Sequence, residues 1–157
     1  MPVFNSVLAW ILNLLPKWAA RPFARPYVAG TTASSALKVV AELNSQGFSA
    51  TLDILGEHVE SPEEGGRVKD AYLQLYDLIA GQDLDCNISL KLTHLGLGLP
   101  DSPAGENLLE LAARAQEHGN FLRIDMENSD YTDETIALYE ECRRRYEETG
   151  MVLQARL

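Results

Sequence analysis

Apolar positions recur with two different periods along the chain, and the alternation between them lays out the elements. Residues 3 to 15 carry Val7, Trp10, Ile11, Leu14 and Leu15 at helical spacing, followed by the basic Lys17, Arg21 and Arg25, the pattern of an amphipathic helix with a cationic flank. Pro16, Pro22 and Pro26 then make residues 16 to 30 an irregular connector, and the regular domain starts near Tyr27. The chain thus divides into residues 1–26, helix and connector, and residues 27–157. Leu37, Val40 and Leu43 predict a helix over 33–46 that stops at Gly47, a residue suited to the left-handed position after a helix. FSATLDIL at 48–55 alternates apolar and polar as a strand does. Ser61-Pro62-Glu63-Glu64 has the cap, the first-turn proline and the acids of a helix start. Val68, Ala71, Tyr72, Leu75 and Ile79 form the buried face of that helix, and Gly65-Gly66 weakens its first turns.

The same alternation continues to the end. NISLKLT at 87–93 is a second strand. Residues 104–118 form a helix with Leu108, Leu111, Ala112 and Ala115 inward, ended by Gly119. FLRIDME at 121–127 is a third strand, Thr132 caps a helix running to Tyr146, and MVLQA at 151–155 is a fourth strand. A βαβαβαβ order with no hairpin signal implies an α/β fold with a parallel sheet and helical crossovers. Two architectures share that order, an open doubly wound sheet and a closed (β/α)8 barrel. The faces favour the barrel. Ile88, Leu90 and Leu92 share one side of the second strand against Ser89, Lys91 and Thr93, and Leu122, Ile124 and Met126 oppose Arg123, Asp125 and Glu127 in the third. Strands covered by helices on both faces tend to be uniformly apolar, whereas these keep a polar side suited to a lumen. The fold expected is therefore a parallel (β/α) barrel, about four βα units amounting to the first half of a TIM-like (β/α)8 barrel, preceded by an N-terminal helix.

Composition narrows the function classes. With 13 Lys and Arg against 23 Asp and Glu, the net charge is 13 − 23 = −10, a field that does not attract nucleic acid. Cys86 and Cys142 stand alone, without CxxC spacing, as in a reducing cytoplasm. The apolar run at the N-terminus is shorter than a bilayer span and has neither a basic leading region nor a cleavage site. A weak contact with a membrane surface stays open beside packing on the protein's own body.

In a barrel enzyme the site lies at the carboxyl ends of the strands and in the loops that follow, where Asp53, Glu57, Lys91, Asp125, Glu127 and Gln154 fall. A lysine on a strand interior needs a carboxylate or a ligand anion to hold its charge, so Lys91 is the most informative residue. An ion pair with Asp53 or Asp125 is its structural alternative. A salt-bridge network of Arg123, Asp125 and Glu127 is an alternative to a catalytic role. Gln154 offers both a donor and an acceptor, as reading a heterocycle requires. His58, His94 and His118 lie at loop or helix-end places and never pair at metal-ligand spacing, so surface or loop roles are expected. No GxGxxG, GxxxxGK[ST] or placed nucleophile–histidine pair occurs.

YVAG at 27–30, ALKVVAELNSQG, TLDILGEHVESPEE, NISLKLTHLGLGL, FLRIDMENS and VLQA follow one another in an order that resembles the consecutive barrel segments of bacterial proline dehydrogenases, over residues from about 15 to 155. The resemblance implies FAD-dependent oxidation of L-proline to 1-pyrroline-5-carboxylate in proline catabolism, with electrons passed to a membrane quinone. By the same likeness Lys91 matches an active-site lysine near flavin and substrate, and Asp125 an active-site aspartate. Met126 matches a flavin contact, Gln154 a glutamine that hydrogen-bonds the flavin ring, and Glu57 a glutamate that helps close the site over proline. Hydride transfer needs positioning and a tuned flavin more than a nucleophile, which agrees with amide and charged groups in place of a triad.

Thr31 stands where the family usually has Glu, and the chain ends at Arg156-Leu157 where the family continues. A whole barrel takes about 250 residues, so the expectation is a truncated chain, inactive alone, with open sheet edges prone to self-association. A half-barrel interaction module or one part of a split enzyme is the alternative reading. A metal held by Asp53, Glu57, His94 and Asp125 is a further alternative, without ligand spacing to support it. The place expected is the cytoplasm, with a peripheral position at the inner face of the membrane left open by the N-terminal helix.

Overall fold

Four short strands, β1 (Ala50–Leu52), β2 (Cys86–Leu90), β3 (Leu122–Ile124) and β4 (Thr149–Met151), form one sheet in chain order, every neighbouring pair parallel. The computed structural model describes residues 28–155; the helix predicted over residues 3–15 and the connector up to Tyr27 lie outside the described residues. Helices α1 (Ala33–Ser45), α2 (Pro62–Gly81), α3 (Ala104–Glu117) and α4 (Thr132–Arg145) alternate with the strands, as the two periods of the sequence predict. A boundary after Val39, inside α1, divides the chain into two units.

Each helix begins and ends for local reasons. In α1, Thr32 caps the start, its Oγ1 accepting the Ser35 amide at 3.2 Å. Leu37 and Val40 are buried while Leu43 is partly exposed, and Gly47 follows at φ 85°, the left-handed geometry expected of it. Asn44 then ties the end of α1 to the start of β2, its amide nitrogen donating to the Asp85 carbonyl at 3.0 Å and its oxygen accepting the Asp85 N–H at 3.0 Å. In α2, the Ser61 hydroxyl accepts the Glu64 amide at 3.2 Å and Pro62 occupies the first turn. Tyr72, Leu75 and Ile79 are buried as predicted, Tyr76 joins them, and Ala71 faces outward. The predicted Thr132 cap is corrected: Tyr131 holds the cap position of α4, and Asn128 caps the short 3-10 turn Ser129–Tyr131 before it, its side chain accepting the Asp130 N–H.

The strands are shorter than the alternation predicts. In β2, ladder pairing stops at Leu90 because Lys91 opens a 3-10 turn, Leu92–Leu95. In β3 it stops at Ile124, opposite Leu90 and Met151. β4 begins at Thr149, two residues earlier than predicted, and leaves Leu153 exposed. Central β2 and β3 carry the core: Ile88, Leu90, Leu122 and Ile124 have no exposed surface, packed with Tyr72, Tyr76, Leu108 and Leu111 from the helices. Among the described residues β1 and β4 are the edges, which explains why Ala50 and Leu52 are only half-buried.

Both cysteines are free and buried. Burial, with Asp85 alongside, pushes the Cys86 thiol up to about 11, and burial raises that of Cys142 as well.

Gly65 has a purpose that helix propensity does not reveal. A Cβ there would lie 2.8 Å from the Leu95 carbonyl oxygen, so the first turns of α2 pass against the backbone of the 3-10 turn with no room for a side chain. Gly66 faces open space. Gly65→Ala should therefore destabilise the chain by roughly 1–3 kcal/mol through overpacking. Gly66→Ala, one residue on, should stabilise it by about 0.5–1 kcal/mol through helix propensity, and urea unfolding of the two variants measures both signs.

Candidate active site

Parallel strands all point their carboxyl ends the same way, and the polar residues that follow them gather at that end of the sheet. Lys91 lies just past β2, its side chain 23% exposed and its ammonium 3.5 Å from Asp53 Oδ2, in the segment after β1. The expectation of a lysine on a strand interior is corrected: pairing has stopped at Leu90, and the charge is held by Asp53 and by contact with water. The other Asp53 oxygen accepts the Tyr72 hydroxyl at 2.7 Å, and that hydroxyl oxygen accepts the Ile54 N–H at 3.1 Å. Burial first, then the charge of Asp53, pushes the Tyr72 phenol above its ordinary range, so it stays a donor to the carboxylate.

Beyond β3, Asp125 accepts the Ser89 hydroxyl and pairs with Arg123 Nε at 3.6 Å, while Arg123 also donates to Ser89 at 3.3 Å. Glu127 belongs to a separate arrangement. Its two oxygens accept the Thr93 backbone N–H at 3.1 Å and the Thr93 hydroxyl, clamping the 3-10 turn to the segment after β3. Gln154, past β4, donates through Nε2 to the Met126 carbonyl at 3.4 Å, which leaves its amide oxygen as an acceptor.

A cavity of about 250 Å3 opens at this end, lined by Glu57, His58, Lys91, Met126, Glu127, Asn128 and Gln154. Five of the residues singled out from the sequence, Glu57, Lys91, Met126, Glu127 and Gln154, therefore meet around one space. Asp53 reaches it through Lys91. Asp125 is not among the lining residues and stands in the neighbouring network with Ser89 and Arg123. His58 is exposed in the segment between β1 and α2, as expected, lies 5.7 Å from the Tyr131 ring and in addition lines the cavity. Asn128, following the third-strand segment directly, was reached by no periodicity argument. The surface or loop role expected of His94 is corrected, since it is buried within the 3-10 turn. His118 sits at the end of α3 with Asp77. The four-residue metal set is not assembled either: among the described residues no group of three or more His, Cys, Asp or Glu is placed to hold a metal.

The hydroxyl donors make the carboxylate positions testable. Tyr72→Phe leaves Asp53 without its buried donor and should lower stability by about 1–2 kcal/mol. Thr93→Val removes one of two donors to Glu127 and should cost about 1–3 kcal/mol. Thermal unfolding of the two variants against wild type checks both.

Comparison with known proteins bears on the same segments. The family model described as "Proline dehydrogenase" matches residues 36–157. Proline dehydrogenase 1 of Bacillus subtilis is 36% identical over 155 residues, covering 99% of this chain and 51% of the relative; proline dehydrogenase 2 of the same organism is 32% identical over the same span. Proline dehydrogenase of Deinococcus radiodurans is 30% identical over 141 residues, 85% of this chain and 45% of its own. The chain spans about half the length of the curated relatives it matches. Proline utilization A from Bdellovibrio bacteriovorus, solved after inactivation by N-propargylglycine, superposes with a TM-score of 0.74 at 22% identity, over 82% of this chain and 16% of that one. That likeness carries the fold, a parallel α/β half-barrel. No helix among the described residues is long and apolar enough to cross a membrane. With a family match running from α1 through the last strand, over the segments that build the cavity, the chain belongs to the proline dehydrogenase family.

Proposed function

We propose that this chain supplies one side of a flavin-dependent site that oxidises L-proline to 1-pyrroline-5-carboxylate. The observation that carries this reading is the single cavity in which a lysine, a methionine, a glutamine and a glutamate from four successive βα segments meet at the carboxyl ends of the strands. Its lining fits a flavin ring: Met126 offers an apolar surface, Gln154 keeps a free amide acceptor, and Lys91 brings a cation. When bound, FAD supplies the acceptor for a hydride equivalent. The residues of the chain supply placement. Lys91, held by Asp53, faces the anionic end of the substrate. Asp125, aligned by Ser89 and Arg123, sits one residue from Met126 and is the group we assign to orient the substrate amine. Glu57 closes the outer side. The oxidation removes a hydride from a ring carbon and a proton from the ring nitrogen, leaving a C=N bond, and needs no nucleophile. By family likeness the electrons go on to a quinone.

Titration of the purified chain with FAD, followed by flavin fluorescence, tests the reading. Lys91→Met and Gln154→Ala should each weaken FAD binding about tenfold, equivalent to about 1.4 kcal/mol. Asp125→Asn should leave FAD affinity near that of wild type and abolish reduction of the bound flavin by L-proline in any assembly that shows it. Equal FAD affinity in all variants would remove the assignment.

A second reading, association through the sheet edges, is favoured by β1 and β4 each having one strand partner among the described residues. Size-exclusion chromatography should show a species larger than 17.4 kDa whose share falls on dilution; a monomer at every concentration would count against it.

A further inference from the structure

His94 does nothing in the reading above, yet its surroundings are demanding. It is 8% exposed, and its Nδ1 is buried with no hydrogen-bond partner. The other side of the ring lies against the segment between β1 and α2: a Cβ built on Gly56 would fall 2.4 Å from Nε2 and 2.5 Å from Cε1. The Tyr72 ring meets it edge-on, centroids 6.5 Å apart at 83°, and the His94 backbone amide donates to the Lys91 carbonyl at 3.2 Å. Three residues beyond Gly56 the same segment is fastened again, the Val59 N–H donating to the Thr93 carbonyl at 3.4 Å. Only Glu57 and His58 lie between these two anchors, and both line the cavity.

We propose that His94 is a positioning residue whose uncharged ring, seated against Gly56, holds Glu57 at the rim of the cavity. The proposal rests on reading Glu57 as a site residue, and its geometry is independent of any cofactor. Gly56 is required because only a residue without a side chain lets the backbone approach the imidazole this closely. The ring must stay neutral because protonation would put an N–H on the buried, unpartnered Nδ1. The charged groups facing it divide. Burial holds the imidazole below its ordinary value, with Lys91 acting in the same direction, while Asp53, Glu64 and Glu127 oppose them. With the folded-state value below the unfolded one, the stability this ring contributes is full above about pH 6.5 and is lost as pH falls toward the folded-state value.

Nitrogen NMR of the histidine rings in the purified chain, with no flavin or proline present, tests this without reference to turnover. As pH is lowered, His94 should keep the pattern of a neutral ring past the ordinary imidazole value of about 6.5, and a ring that charges at or above that value would overturn the proposal. His94→Ala should move the amide resonances of Gly56 and Glu57 beyond the scatter of the other amides and leave Leu138 on α4 in place. His94→Gln, flat and uncharged, should restore them toward wild type. Should His94→Ala fail to fold, Gly56→Ala reads the same contact from the other side and must displace the Glu57 amide. A Glu57 resonance unmoved in the alanine variants would sink the idea, whereas failure of FAD to bind would leave it standing and remove only the flavin reading.

Discussion

Parallel pairing is the constraint from which the rest of this structure follows. Each strand must be re-entered from the same end, so every connection crosses back as a helix, and every strand releases its chain on one side. The register of β2 against β3 sets Ile88 beside Leu122 and Leu90 beside Ile124, giving a seam of apolar side chains that the helices cover. Once that seam is buried, Lys91 and Asp125 have no choice but to emerge together, one residue beyond the last ladder pair of each strand. The apolar layer thus determines where the polar layer forms, although none of its members touches the cavity.

The polar end is held by a repeated device. Three carboxylates, those of Asp53, Asp125 and Glu127, each accept a hydroxyl from a neighbouring element: Tyr72 from α2, Ser89 from β2 and Thr93 from the 3-10 turn. A hydrogen bond to an ionised acceptor is about twice as strong as a neutral one, and here each also fixes a side-chain direction across two segments. The network is therefore at once the local scaffold and the orienting shell of the cavity, and its members outside the cavity decide how those inside it point.

Much of this was legible in the residues. The order of strands and helices, the inward faces of α2 and α3, and the stop at Gly47 follow from period and cap chemistry, because those depend on neighbours within a few positions. Strand ends did not, since an alternating pattern such as NISLKLT continues through Lys91 and Thr93 while the backbone has already turned. The hydroxyl partners were beyond reach for another reason: Tyr72 reads as one more buried aromatic on a helix, and nothing local signals that its oxygen meets a carboxylate nineteen positions earlier in the chain. Gly65 and His94 were misjudged for a related cause. Propensity marks a helix glycine as a weakness and a loop histidine as a surface group, whereas the contacts that explain them, Gly65 with the Leu95 carbonyl and His94 with Gly56, come from segments far along the chain.

The two thiols give the chain a practical property. Both Cys86 and Cys142 are enclosed and hold their protons well above neutral pH, and thiolate is the form that attacks maleimides or disulfides. A third cysteine introduced on an exposed turn would therefore be the sole group to take a fluorophore or spin label, with no need to mutate the native pair out of the core.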